Sequence, residues 1–280
     1  MLKTLSFHVP ATGCREVMKA NSTREASSYT VEALAKGLRI LALFSEKRPH
    51  LRLTEIVNLT GVPMPTAFRL VATLESEGYL ERLPDGAVRP GAGVLMLGFA
   101  ALRGLDLVQT SSVILRELFA QTKQTVNLGV LSQDRVVYVA RLQSDSVLVT
   151  ANITVGSTLP AIVTSMGKVL LASLPDDELR KRIAPSSFAG TWGPNAIRNM
   201  TSLKKELAVV RERGFAYQDE ELVSGLRSIA APVRQNDGRV VAAVNVAVPA
   251  RDFSVEQLRK QVLDPLIAAC TQISRRLGNS

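Results

Sequence analysis

The chain has 280 residues, 46% of them hydrophobic and 21% charged, which is enough apolar material for two cores and excludes a largely disordered chain. Lys+Arg 34 against Asp+Glu 25 leave a net charge of +9, a balance that suits an anionic partner, although the excess is spread along the chain and carries little weight by itself. Two cysteines, Cys14 and Cys270, cannot build a disulfide framework, and two separated histidines, His8 and His50, offer no ligand cluster, so neither a secreted scaffold nor a metal centre is expected.

Residues 1–28 are mixed and polar, without the apolar core of a signal peptide, and read as a mobile tail. No apolar run approaches the ~20 residues of a membrane helix, so a soluble protein of the reducing cytoplasm is expected. A first domain follows over residues 29–91. Glu32 to Ser45 predicts a helix, with Leu34, Leu38, Leu41 and Phe44 as its buried stripe and Ile40 beside it. Thr54 reads as the cap of a short second helix whose buried residues are Ile56, Val57 and Leu59. Gly61 supplies a tight turn, and Pro63 and Pro65 restart the chain in a first helical turn, where a missing N–H costs nothing. In the third helix Ala67, Leu70, Val71 and Leu74 recur on one face, with Thr66, Arg69 and Thr73 largely off it. Gly78-Tyr79-Leu80 ends that helix and opens a hairpin turning at Asp85-Gly86, flanked by Arg82 and Arg89. A helix with an apolar back and a short polar front, followed by a charged wing, suits the major groove of duplex DNA. The contact set expected is Thr54, Met64, Pro65, Thr66, Arg69 and Thr73, with Arg69 and Thr66 reaching base edges and Arg82 and Arg89 touching phosphates.

Residues 92–110 read as a linker helix carrying Val94, Leu95, Leu97, Gly98, Ala101, Leu102 and Leu105, suited to bury surface against a second subunit. Residues 111–280 read as an α+β domain. A helix over Ser111–Thr122 leads to strands around Val126–Val130 and Val136–Val139, with further strand over Val147–Val155. Helices are expected over Gly167–Leu174, from Pro175, and over Leu203–Arg213, the last stopped by Gly214. Strands Ile229–Val233 and Val240–Val248 meet at Asn236-Asp237-Gly238, and Ser254 caps a final helix.

Polar residues inside apolar strands mark this domain. Asn245 interrupts Val240–Val248, and Ser228 sits beside Ile229 and Ala230; a buried amide or hydroxyl must find a partner, either a neighbour or a ligand. Thr164-Ser165-Met166-Gly167-Lys168 has three readings: an ordinary helix cap by Thr164 or Ser165, a ligand-facing helix start, and the Ser-x-x-Lys spacing of penicillin-binding enzymes. The last makes a serine-dependent small-acid hydrolase, using Ser165 and Lys168, the alternative to a regulator. Companion motifs for it are absent downstream.

With these residues in view, the chain resembles the IclR family of transcriptional regulators over about Glu32 to Leu277. Lys36-Gly37-Leu38-Arg39-Ile40-Leu41, Leu53-Thr54-Glu55-Ile56 and Glu75-Ser76-Glu77-Gly78-Tyr79-Leu80 carry the first half of the likeness. Gly156 to Ala161, Ser165 to Ala172, Gly214 to Tyr217 and Glu220 to Val233 carry the second. Thr164-Ser165-Met166-Gly167 and Gly225 to Ala230 are most similar to the subgroup governing the β-ketoadipate pathway. The resemblance implies a winged helix-turn-helix, a linker helix and a GAF-like effector domain, assembled as a dimer or tetramer. It implies no cofactor and no catalysis. Its partners would be a double-stranded operator, a small aromatic or dicarboxylic acid, a second copy of the chain, and RNA polymerase. Carried over by motif position, the effector pocket would use Ser165, Met166, Gln218, Ser228, Asn245 and Ala247. Two positions depart from the pattern: Gln218 stands where many members have aspartate, and Pro65 where a small hydroxyl residue is common.

Overall fold

The computed structural model describes residues 30–45, 48–104, 106–144 and 153–278. The tail expected over residues 1–28 lies outside them. The chain divides into two compact units, one ending at Gly104 and one starting at Leu105.

In the first unit, helices α1 (Glu32–Leu41), α2 (Leu53–Thr60) and α3 (Met64–Ser76) precede a two-stranded wing, β1 (Leu80–Arg82) and β2 (Val88–Pro90). Ile40, Leu43, Leu51, Ile56, Val71, Leu80 and Val88 form the core. Gly61 holds φ +70° between α2 and α3, a conformation glycine adopts without strain. Its N–H closes α2 on Val57 O at 2.8 Å. The wing turns at Gly86, φ +82°, and β2 ends at Pro90, which cannot donate to a ladder.

Four sequence expectations are corrected here. Thr54 does not cap α2: the helix starts one residue earlier, at Leu53, and the Glu55 carboxylate accepts the Arg52 N–H at 2.7 Å, closing the end from inside. Leu59 is exposed as well. Leu34 and Leu38 are not a buried stripe: they are 62% and 57% exposed, while Gly37 and Ile40 face the core. Helix α1 is also shorter than expected, and Leu43 and Phe44 pack from beyond its end.

Helix α4 (Ala92–Gly104) leaves the wing, its start held by Gly91 N–H on Tyr79 O (2.9 Å) and Gly93 N–H on Gly78 O (3.0 Å). Leu95, Met96 and Leu97 on it are exposed.

The second unit is built on a six-stranded antiparallel sheet ordered β5-β4-β3-β8-β7-β6. The strands are β3 (Thr125–Ser132), β4 (Arg135–Leu142), β5 (Thr158–Pro160), β6 (Ala216–Asp219), β7 (Leu226–Arg234) and β8 (Val240–Pro249). Helices α5 (Asp106–Thr122) and α9 (Val255–Leu277) pack together on one face. Helix α6 (Ser165–Ala172) lies on the other, backed by α8 (Met200–Arg213), with α7 (Asp176–Arg182) between them in sequence. Ser254 caps α9, accepting the Gln257 N–H at 3.1 Å, and Gly214 ends α8 at φ +81°. α5 begins at Asp106, before the expected Ser111, and α6 at Ser165. Of the strand expected over Val147–Val155, residues 147–152 lie outside the described residues and 153–155 are not strand. Among the described residues no helix is long and apolar enough to cross a membrane.

Candidate functional site

Helix α3 presents the face a DNA reader needs. Ala67 and Val71 are buried and Leu70 and Leu74 half-buried, which anchors its back. Pro65, Arg69 and Thr73, four apart, stand exposed on the front, with Met64 and Phe68 beside them and Thr66 half-buried. Thr73 Oγ1 donates back to Arg69 O at 2.9 Å, so its hydroxyl is engaged with its own helix. Thr54 is exposed on α2. On the wing, Arg82 pairs with Glu75 at 2.6 Å and Arg89 with Glu81 at 2.9 Å. Such exposed pairs contribute little, so a phosphate can displace the carboxylate.

In the second unit, strand register assembles a cavity from residues distant in sequence. Side chains two apart on a strand share a face, and antiparallel partners lie side by side. One rung across β4, β3 and β8 is Arg141, Asn127 and Asn245. The next, on the same face of β3, β8, β7 and β6, is Thr125, Ala247, Ser228 and Gln218. Together with Tyr138, Ile153, Val163, Thr164, Leu222 and Leu226 these residues line a cavity of about 30 Å³. That is space for about two waters.

A continuous hydrogen-bond chain runs under it. Arg141 donates from Nη1 to Asn127 Oδ1 (2.8 Å), and Asn127 Nδ2 donates to Asn245 Oδ1 (2.8 Å). Asn245 Nδ2 then donates to Ser165 Oγ (3.4 Å), which shares a hydrogen with Ser228 Oγ at 2.7 Å. The Gln218 amide oxygen accepts from the N–H groups of Glu221 (3.1 Å) and Leu222 (3.0 Å), and its nitrogen donates to Leu226 O (3.3 Å). Ser228 Oγ lies 3.5 Å from that amide. Burial pushes the Tyr138 hydroxyl pKa up and lowers that of the Arg141 guanidinium, which still stays charged.

Of the six residues carried over for the effector pocket, Gln218, Ser228, Asn245 and Ala247 line this cavity. Ser165 reaches it only through its bonds to Ser228 and Asn245. Met166 does not line it; its thioether packs over Gly129, where a Cβ would stand 3.1 Å from both Sδ and Cε. Sequence reasoning missed Asn127 and Arg141. Asn127, between Val126 and Leu128, carries the same signal that marked Asn245.

The Ser165–Lys168 pairing fails on geometry. Thr164 caps α6, its hydroxyl accepting the Gly167 N–H at 3.1 Å. One turn in, the Lys168 ammonium is held by Glu221 at 2.5 Å and Glu206 at 3.6 Å. An ammonium bound by two carboxylates is no base for a serine whose hydroxyl is bonded to Ser228.

The chain matches two family models in order: the IclR helix-turn-helix domain over residues 33–84, and the bacterial transcriptional regulator IclR C-terminal domain over residues 99–275. It is 31% identical to the Pca regulon regulatory protein of Pseudomonas putida over 248 residues, 88% of this chain and 84% of that one. It is 30% identical over 252 residues to the HTH-type transcriptional regulator XynR of Escherichia coli K12, covering 89% of this chain and 98% of the other. Its fold matches an IclR homolog from Microbacterium hydrocarbonoxydans, solved with 4-hydroxybenzoate, at TM-score 0.73 and 26% identity, over 89% of this chain and all of that one. Two domain models in sequence and relatives aligned over most of their length make this a regulator and not an enzyme: the chain belongs to the IclR family of bacterial transcriptional regulators.

Proposed function

We propose that this regulator is controlled by a small organic acid, of the aromatic or dicarboxylic kind, and that it governs genes for aromatic-compound breakdown. The observation that carries the reading is the double rung of mostly polar side chains on one sheet face, from Arg141 to Gln218, in a cavity otherwise lined by Ile153, Val163, Leu222 and Leu226 with Tyr138 and Thr164. Polar side chains are costly to bury there unless a ligand or each other satisfies them. The likeness to a Pca regulon regulator and to a homolog holding 4-hydroxybenzoate points the same way. A six-membered ring is larger than about 30 Å³, so binding must push the lining side chains apart. That difference between empty and filled states is what lets an effector shift a conformational equilibrium, since a ligand shifts it only by its differential affinity.

On DNA, Arg69 and Thr66 meet base edges, with Met64, Pro65 and Thr73 beside them, Thr54 on the preceding helix, and Arg82 and Arg89 on phosphates. Exposed Val31, Leu34 and Leu38 along α1, and Leu95, Met96 and Leu97 on α4, supply apolar area for a second copy of the chain. RNA polymerase is the further partner of such a regulator, and the cytoplasm its compartment.

The DNA half is tested with an operator selected by the protein itself from a random duplex pool. Arg69→Ala is expected to weaken it by about 1–3 kcal/mol at matched salt, with relaxed preference at one base pair. Unchanged affinity would remove Arg69 from the interface. Arg82→Ala is expected to weaken all sequences alike and flatten the salt dependence.

A further inference from the structure

We propose that Arg141 is the anchor of the effector cavity and selects a singly charged carboxylate. The inference deepens the acid-effector reading above and rests on it. Three observations carry it. Arg141 is the single charged side chain in the lining. Among the described residues no carboxylate lies within ion-pair distance of it, whereas the buried Lys168 of the same unit is held by two. Its Nε is buried without a hydrogen-bond partner.

A guanidinium offers its donors as a planar fork that fits a carboxylate on two parallel bonds. Here Nη1 is committed to Asn127 Oδ1. Nε is the unmet donor, so the carboxylate is taken on the Nε edge without breaking the bond to Asn127. That bond also fixes the rest of the rung. With its oxygen on Arg141, Asn127 turns its nitrogen to Asn245, which in turn points its own nitrogen at Ser165. Arg141 therefore sets the direction of every donor along the floor, and removing it frees both amides to turn over.

The match is to one negative charge. With one cation and no second basic group in the lining, a phosphoryl dianion would bury an uncompensated charge, while a neutral amide or ester would leave the guanidinium unneutralised. The remainder of the ligand meets Tyr138, Leu222 and Leu226, and a hydroxyl at its far end meets Ser228 or Gln218.

The test is calorimetry on the full chain with the monoanions 4-hydroxybenzoate and 3,4-dihydroxybenzoate and the dianion adipate, alongside the neutral 4-hydroxybenzamide. Circular dichroism and effector-free operator binding serve as fold controls. At least one of the two monoanions is expected to bind the wild type, and the amide and adipate to bind more weakly or not at all. Arg141→Met should weaken that acid about 100-fold, and Arg141→Lys, which keeps the charge but loses the fork, about 10-fold. Arg141→Lys carries the test if the methionine variant does not fold. An acid that binds both variants within threefold of wild type, an amide that binds as well as its acid, or adipate binding more tightly than both monoanions overturns the anchor and leaves the acid-effector reading standing. Failure of every acid to bind the wild type overturns that reading and the anchor with it.

Discussion

Gly167→Ala is expected to lower the stability of the second unit by about 3 kcal/mol, the upper end of what overpacking costs. The reason is geometric. A Cβ at Gly167 would stand 2.1 Å from Ala161 O, 2.3 Å from Ala161 Cα and 2.5 Å from Ala161 C. These are backbone atoms of the turn that leads into α6, and no rotamer moves them aside. To accept the methyl group, α6 must lift off that turn by more than an ångström. The shift strains the Thr164 cap on the Gly167 N–H and parts Ser165 from Ser228, now 2.7 Å away. Loss of stability and loss of effector binding should therefore appear together. Urea unfolding, followed by a second-unit signal such as the fluorescence of Trp192, checks the first. Gly98→Ala is the control: its Cβ meets nothing within 4 Å, so an alanine in helix α4 should be neutral or mildly stabilising. An unfolding midpoint for Gly167→Ala equal to that of wild type would show that the turn yields, and that the close approach of α6 does not hold the cavity floor.

The parts of this molecule that sequence made readable are those that local chemistry decides. Gly61 and the Pro63 restart, the α3 face through Ala67 and Val71, the Asp85-Gly86 turn, the Gly214 stop and the Ser254 cap each depend on a few adjacent residues. Which face of α1 goes inward does not. Leu34 and Leu38 lie on one side and Gly37 and Ile40 on another, and only the neighbouring helices and wing choose between them. Thr54 misled for a related reason: Glu55 competes for the same helix end and, acting from within it, closes it at Arg52, two residues earlier. Strands β5 and β6, three and four residues long, exist because neighbours pair with them. The cavity shows both sides of this limit. Asn245 and Ser228 could be singled out as polar residues in apolar strands. Their company could not, because it depends on register between β3, β4 and β8, which brings Asn127 to Asn245 across 118 positions. Arg141 sits near the end of a strand that reads as mixed, where an arginine looks like a surface residue until the pairing is known.

Lys168→Met is expected to be the more damaging single change, at about 3–5 kcal/mol, the cost of leaving one partner of a buried ion pair alone. The Lys168 side chain is 3% exposed, its ammonium lies 2.5 Å from Glu221, and the second oxygen of Glu221 is buried with no partner. Burial already raises the Glu221 carboxyl above its ordinary value, and Lys168 opposes that rise. Without the ammonium the largest opposition to that rise is gone. A carboxyl whose pKa is higher folded than unfolded binds more protons in the folded state, so stability falls as pH climbs from its ordinary value through the raised one. The loss in Lys168→Met should therefore be smaller near pH 5 than near pH 8, because the orphaned carboxyl is more protonated at the lower pH. Replacing both partners, Lys168→Met with Glu221→Leu, should recover a large part of the stability, since the carboxylate that remains, Glu206, is half-exposed and keeps Arg213 at 3.0 Å. Denaturant unfolding of the two singles and the double at both pH values closes the cycle; a double variant that loses the sum of the singles would mean the two groups are not coupled. The pair also matters for the effector. Lys168 sits on α6, one turn beyond Ser165, and Glu221 precedes the cavity-lining Leu222 in the turn whose N–H groups hold the Gln218 amide. Breaking the pair frees that turn from α6, so the double variant, though refolded, should bind an acid effector more weakly than wild type while holding its operator unchanged.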